Sequence, residues 1–403
     1  MKRMKILIVS QHFWPENFKI NDLAENIVAR GHSVNVLTGK PNYPQGKFYK
    51  GYGYFFPRKE NYNGIQIRRI PLIPRGNATG FRLALNYLSF VITSCFYMLF
   101  HHRKYDAIFV FAVSPITVAF PAILHRFFHK TKTLLWVLDL WPLSVIAAGY
   151  FRSNKIYKIL TKIVRFIYKH VDRILISSEG FRSFIEESGV SADKIFYVPN
   201  WAEKLYETPQ IDLQKYALLM PDGFKVMFAG NVAIGQDCES LFATAKLLSE
   251  MRSNVQLIIV GDGCKKAWFE EEVTKAHLKN VHFLGRFQAE EMPSLITHAD
   301  VLLVSLKDEP VLAITVPARV QTALASAKPI AAMLNGEGAF VINEAKAGLT
   351  CNSGNALAFA QNLHYLSQCS QEKLDEMGKN GRQYYNQYFS RSKIISEIET
   401  LLN

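Results

Sequence analysis

Groups able to do chemistry sit where apolar runs of this chain give way to loops. In residues 135–144 (LWVLDLWPLS), Asp139 ends an apolar stretch and precedes Leu-Trp-Pro. A carboxylate at a strand end, in surroundings of low dielectric, can orient a substrate hydroxyl or take its proton; the same residue can instead cap a helix. Residues 228–236 (FAGNVAIGQ), 260–266 (VGDGCKK) and 285–287 each follow an apolar run with glycine and polar groups, the second ending in Lys265 and Lys266. One such turn is commonplace, but three in succession point to a nucleotide site. In residues 305–329, Lys307, Asp308 and Glu309 leave a strand, and Thr315-Val316-Pro317 opens a helix carrying Arg319 and Thr322. Proline in a first helical turn, with free N–H groups and a guanidinium beside them, suits an anion; a surface loop and amphipathic helix is the plainer alternative. The loop 11–20 likewise feeds a helix starting near Asn21, whose positive end favours phosphate, unless it is a simple strand–helix connection. It holds no GxGxxG, so the NAD-type fingerprint is absent.

Regular elements must bring these loops together. Apolar runs at 5–10, 33–38, 107–111, 133–138, 173–177 and 195–198 are predicted as strands, as are 225–229, 256–260, 281–284, 301–304 and 329–333. Helical spacing fills intervals such as 19–30, 239–251 and 266–276. Strands alternating with helices predict parallel sheets covered on both faces. The pattern restarts near residue 224, after the polar, proline-bearing stretch 202–222. The fold class is therefore α/β: two doubly wound, Rossmann-like domains, 1–203 and 222–403, facing across a cleft, with the last helix free to pack back on the first domain. Ligands of such sheets bind at the carboxyl ends of the strands, where the loops above lie.

With 403 residues, 49% apolar and 20% charged, the chain suits two globular cores and no disordered or fibrous class. Its five scattered cysteines have no metal-ligand spacing and fit reduced thiols. The basic N-terminus leads into too short an apolar run for a secretory signal and reads as a buried first strand. Residues 1–200 hold 28 Lys and Arg against 11 Asp and Glu, a balance of +17, while the rest of the chain is at −4. Such asymmetry implies an anionic partner for the first half. Residues 83–100 are apolar enough for a spanning helix but contain Asn86, Ser89, Thr93 and Ser94; a membrane-dipping or a core helix are the alternatives. Residues 154–171 repeat apolar side chains at helical spacing, with Lys155, Lys158, Lys162, Arg165 and Lys169 and no acid. That pattern suits an anionic lipid surface better than a merely solvated face. No nucleic-acid motif accompanies the charge, and nucleic acid is not expected as a partner.

Taken in order, KILIVSQHFWPE, ARGHSVNVLTGKPNYPQGK, LDLWPLS, VPNW, FAGNV…GQ, VGDG, FLGR and VPARVQ…AKP resemble retaining GT-B glycosyltransferases of family 4. More narrowly, the chain is similar to the branch that builds bacterial O-antigen, capsule and colanic-acid repeat units. The resemblance implies that 222–403 binds a nucleotide diphosphate sugar, that 1–203 binds the acceptor and faces the membrane, and that the sugar is transferred with retention. It also implies no cofactor and no obligatory metal: cations and helix dipoles neutralise the leaving diphosphate. The loop carrying Glu16, Lys19 and Asn21 would close on the diphosphate or donor sugar. Where the wider family has Arg after the strand-end glycine and Lys five residues on, this chain has Asn231 and Gln236. Lys265, Lys266 and Arg319 are then the candidate cations, with Gly230, Asn231 and Gln236 at the diphosphate, Thr315 and Val316 at the helix entry, and Arg286 and Phe287 near the base. Thr322, or Glu309, stands for the family Glu at the ribose. The family His beside the strand-end acid is Leu138 here, leaving Asp139 to position or deprotonate the acceptor. The expected partners are a UDP or GDP sugar, an undecaprenyl-diphosphate-linked oligosaccharide and an anionic membrane surface, for a cytoplasmic protein peripheral on the inner face of the cytoplasmic membrane. A sugar-nucleotide epimerase on the same fold and a non-catalytic scaffold in a polysaccharide-assembly complex are the rival readings.

Overall fold

In the computed structural model, which describes residues 3–101, 103–147 and 153–403, the chain divides into two units: Met1–Pro199 with Ser392–Asn403, and Asn200–Arg391. The first unit runs β1 (Lys5–Val9), α1 (Lys19–Ala29), β2 (Ser33–Gly39), β3 (Lys59–Tyr62), β4 (Ile65–Ile70), α2 (Gly80–Leu99) and β5 (Ala107–Ala112). It continues with α3 (Phe120–His129), β6 (Lys132–Val137), α4 (Leu143–Ala147), α5 (Asn154–Lys169), β7 (Arg173–Ile176), α6 (Arg182–Glu186) and β8 (Ile195–Tyr197). The strand order is β3-β4-β2-β1-β5-β6-β7-β8. Every pairing is parallel except β3 with β4.

The central strands explain themselves. β5 (AIFVFA) is buried at all six positions and β6 (KTLLWV) at five of six, as expected of strands covered on both faces. Trp136 of β6 is fully buried, and its indole N–H donates to the Val198 carbonyl at 2.9 Å; burial of such a side chain contributes roughly 2–3 kcal/mol. The β3–β4 hairpin was not among the expected strands. Its signal is the Asn63-Gly64 pair, both at positive φ (47° and 82°), which closes a two-residue turn between Tyr62 and Ile65.

α2 buries one stripe, Leu83, Asn86, Phe90, Ser94 and Met98. Its polar residues hold it to the preceding segment: Asn86 Nδ2 donates to the Ile73 carbonyl (2.6 Å), the Ile73 N–H donates to Ser89 Oγ (2.9 Å), and Thr93 Oγ1 donates to the Pro71 carbonyl (2.8 Å). The opposite stripe, Leu88, Ile92 and Phe96, is more than half exposed. α5 buries Val164, Ile167 and Tyr168 and exposes all five of its cations, with Ile159 and Phe166 exposed among them.

The second unit comprises α7 (Lys204–Glu207), β9 (Phe224–Ala229), α8 (Cys238–Glu250), β10 (Val255–Val260), α9 (Lys266–Lys275), β11 (Val281–Gly285), α10 (Met292–Thr297) and β12 (Val301–Ser305). α11 (Pro310–Ala313), α12 (Ala318–Ala325), β13 (Ile330–Met333), α13 (Glu337–Glu344), β14 (Gly348–Cys351), α14 (Ala356–Ser367) and α15 (Gln371–Tyr384) follow. Its sheet, β11-β10-β9-β12-β13-β14, is wholly parallel. Apolar clusters lie on both of its faces, one with α12 and α13, the other with α8, α9 and α14. The last helix, α16 (Arg391–Leu402), belongs to the first unit almost entirely: Ile394, Ile395 and Ile398 are buried, and Glu399 meets Arg30 (2.6 Å) and His32 (2.8 Å).

Candidate functional site

In both sheets the strand order reverses beside the first strand, so β1/β5 and β9/β12 are switch points, where loops diverge and leave a crevice at the strand ends. In the second unit the ladder carries on past the strands: the Gly230 N–H donates to the Val260 carbonyl (2.9 Å), Val232 to Asp262 (2.9 Å) and Gly261 to Gly285 (2.7 Å). A Cβ on Gly261 would lie 1.8 Å from the Gly230 oxygen, and Gly261 has φ +137°, so only glycine lets these two turns close.

Arg319, in the first turn of α12, reaches over this loop. Its guanidinium stacks on Phe228 (4.3 Å), donates to the Asn231 carbonyl (3.0 Å) and to Gln236 Oε1, and would touch any side chain at Gly230. Burial lowers its pKa to about 10, which still leaves it charged at neutral pH. Among the described residues no carboxylate pairs with it. A desolvated cation at a helix N-terminus, hydrogen-bonded only to neutral groups, is an anion receptor.

The other expected cations differ. Lys265 Nζ lies 2.6 Å from Glu239 and Lys266 Nζ 3.4 Å from Glu270, so both lysines already have an acid. Lys307, just past the end of β12, shares Glu239 at 3.5 Å. Of the three candidates for the missing family charges, Arg319 alone is unpaired. Arg286 is exposed after Gly285, while Phe287 packs edge-on to Tyr216 (5.5 Å) and against the core. Glu309 is exposed ahead of α11, the Thr315 hydroxyl donates to the Val311 carbonyl (2.8 Å), Val316 is buried, and Thr322 is half-buried one turn beyond Arg319.

In the first unit the loops after β1, β5 and β6 border a cavity of 540 Å³. Asp139 lines it and has no hydrogen bond or ion pair among the described residues. Apolar surroundings disfavour its charge, and its pKa rises to about 7. His12, Arg75 and Trp141 line the same space. Sequence reasoning missed all three. His12 could have been found from its spacing to Glu16, whereas Arg75 lies in an irregular segment with no pattern to read.

The loop residues expected at the donor are otherwise employed. Glu16 is 1% exposed; one oxygen meets His12 Nδ1 (2.9 Å) and the other accepts the N–H groups of Asn42 (2.8 Å) and Tyr43 (2.7 Å). Asn21 accepts the Trp14 N–H (2.9 Å) and donates to the Glu16 carbonyl (2.7 Å). Both therefore organise the loop, and neither offers a free group to a diphosphate. Lys19 opens α1, half-buried and engaged.

Comparison with known proteins gives these sites a family. Residues 18–201 match the glycosyl transferase 4-like domain and residues 214–384 match glycosyl transferases group 1, the two together covering most of the chain. WcaI of Escherichia coli (strain K12), whose name assigns it provisionally to colanic acid biosynthesis as a glycosyl transferase, is 27% identical over 320 residues, 75% of this chain and 77% of that protein. Among solved structures, sucrose-phosphate synthase from Thermosynechococcus elongatus aligns with a TM-score of 0.73 at 19% identity, covering 99% of this chain and 98% of that one. Anabaena Alr3699/HepE in complex with UDP aligns with a TM-score of 0.70 at 15% identity, over 100% and 99%. These structures share the fold, two parallel-sheet α/β domains of the GT-B class. The chain is a glycosyltransferase, built from a glycosyl transferase 4-like domain followed by a group 1 domain.

Proposed function

We propose that this protein moves a hexose or amino sugar from a UDP or GDP sugar to an undecaprenyl-diphosphate-linked oligosaccharide, with retention, in bacterial surface-polysaccharide synthesis. The observation that carries the reading is Arg319: a half-buried guanidinium with no acid partner among the described residues, over glycine-built strand ends at a switch point. There it would neutralise the diphosphate as it leaves, contributing on the order of 3 kcal/mol to lowering the barrier. UDP in the complex of HepE and colanic acid in the name of WcaI support the donor class and the pathway type. Asp139 would accept a hydrogen bond or proton from the acceptor hydroxyl. No cofactor or obligatory metal is assigned. The exposed cations of α5 and the apolar stripe of α2 support residence on the inner face of the cytoplasmic membrane.

Melting curves with UDP, GDP and their sugars test the donor, followed by incubation of the stabilising sugar with and without bacterial lipid extract. Transfer of label to a lipid fraction is expected. Change of the donor sugar without extract would replace the reading by epimerisation, and no stabilisation by any nucleotide would remove it.

A further inference from the structure

The cavity at Asp139, 540 Å³ in volume, is larger and more apolar than a sugar hydroxyl requires. Its ionisable groups His12, Arg75 and Asp139 and the hydroxyls of Ser114, Thr117 and Ser144 are outnumbered by apolar side chains, most of them supplied by two helices. Leu83, Tyr87 and Val91 of α2 face it at i, i+4 and i+8, and Ile156, Leu160 and Ile163 of α5 at i, i+4 and i+7. Each helix thus turns a regular apolar row toward space that no described side chain fills. Interiors pack closely, so an open apolar slot between two helices is the usual form of a ligand site.

Two further features say what kind of ligand. Leu88 lines the slot and is also 56% exposed, at the head of the outer stripe Leu88, Ile92 and Phe96. The slot is therefore continuous with an apolar outer face. Beside it, the outer side of α5 is cationic and acid-free, the complement of an anionic lipid surface. Among the polar groups, Arg75 lies over the Tyr43 ring (5.0 Å) and has no carboxylate partner among the described residues. His12, in contrast, is held by Glu16. A ligand matching these groups has a long hydrocarbon chain, an anionic group and a hydroxylated group.

We infer that the slot between α2 and α5 takes the isoprenoid chain of the acceptor's lipid diphosphate, with the diphosphate at Arg75 and the attached sugar at Asp139. This rests on the proposed lipid-linked acceptor and adds that its chain enters the protein instead of staying wholly in the bilayer.

Farnesyl diphosphate is a suitable probe of the full-length chain, measured by calorimetry against inorganic pyrophosphate and lysophosphatidylcholine. Binding at least tenfold tighter than pyrophosphate is expected, together with at least a tenfold loss in Val91→Trp or Leu160→Trp, which fill the slot from opposite walls. A diazirine-bearing farnesyl diphosphate gives a readout on the unaltered chain, with labelling expected within residues 83–91 and 156–163. Labelling elsewhere, affinity equal to pyrophosphate, or equal competition by lysophosphatidylcholine would overturn the inference, the last making the slot a site for bulk lipid. Label in the slot without transfer of sugar to any lipid would keep the slot and remove the acceptor reading. Transfer to lipid with label outside the slot would do the reverse.

Discussion

Arg319 and Asp139 are both charged groups kept short of counter-charge, with opposite consequences. Burial weakens Arg319's hold on its proton but leaves it cationic, so its unmet charge is available to a diphosphate. Arg319→Ala is expected to lower kcat/KM about 10²-fold with an unchanged circular dichroism spectrum. Lys266→Ala should stay within about threefold, because Lys266 is paired with Glu270 and exposed pairs contribute little; comparable losses in both variants would return the lysine to the site. Asp139 binds its proton more tightly folded than unfolded, with a pKa near 7. Stability is therefore lost as pH rises from about 4 toward about 7, where the unfolded chain releases a proton that the folded one keeps. Asp139→Asn should raise the melting temperature at pH 8 and not at pH 4. The gain should be on the order of 1–2 kcal/mol, below the full value of the shift because Asp139 is partly exposed. Wild-type turnover should climb through pH 7 as the carboxylate forms, a rise absent from the variant. Asp139 and Arg319 stood out as candidates in the sequence because each sits at an element boundary that the apolar pattern marks. The partners of Glu16 were not legible there: its position in a loop gave no hint that the backbone of residues 42 and 43 folds over it.

At the scale of elements, amphipathic helices and glycine turns shape the candidate surfaces. Charge reversal is not needed to test α5; replacing Lys158, Lys162 and Arg165 together by Gln removes about 3 kcal/mol of attraction to an anionic surface. The variant should leave sedimenting vesicles rich in anionic lipid at moderate salt, while its melting curve stays close to that of wild type because these side chains are exposed. Gly261→Ala would press a methyl group on the Gly230 carbonyl at a φ unfavourable to alanine. Loss of nucleotide-induced stabilisation is expected there, with most of the fold retained. The eleven expected strands all occur, within one or two residues, since buried parallel strands are long apolar runs. The hairpin of β3 and β4 and the edge strand β14 escaped notice: KENY is polar on an exposed edge, and GLTC is too short to stand out from its surroundings.

At the scale of the whole molecule, the chain passes from the first unit to the second and returns, so that α16 completes a core begun nearly 400 residues earlier. The Met4 N–H donates to His32 Nδ1 (3.1 Å), which leaves Nε2–H to donate to Glu399. Burial opposes the Glu399 charge, but His32 and Arg30 more than compensate and hold its carboxyl below the usual range. Glu399→Ala should destabilise the first unit by about 2 kcal/mol, since it leaves the buried His32 Nε2–H without an acceptor, a loss readable as earlier unfolding in denaturant; an unchanged midpoint would mean that α16 is merely laid on the surface. By itself the sequence determined the α/β class, the two sheets and the loops at their strand ends, because hydrophobic period and glycine placement are local properties that survive in one dimension. Only the tertiary structure decided which cation is left without an acid, which carboxylate is desolvated, and that α2 and α5 enclose a slot. Most of those properties depend on neighbours distant along the chain, as Gln236 is from Arg319 and α2 from α5, and hydrophobic period does not encode such meetings.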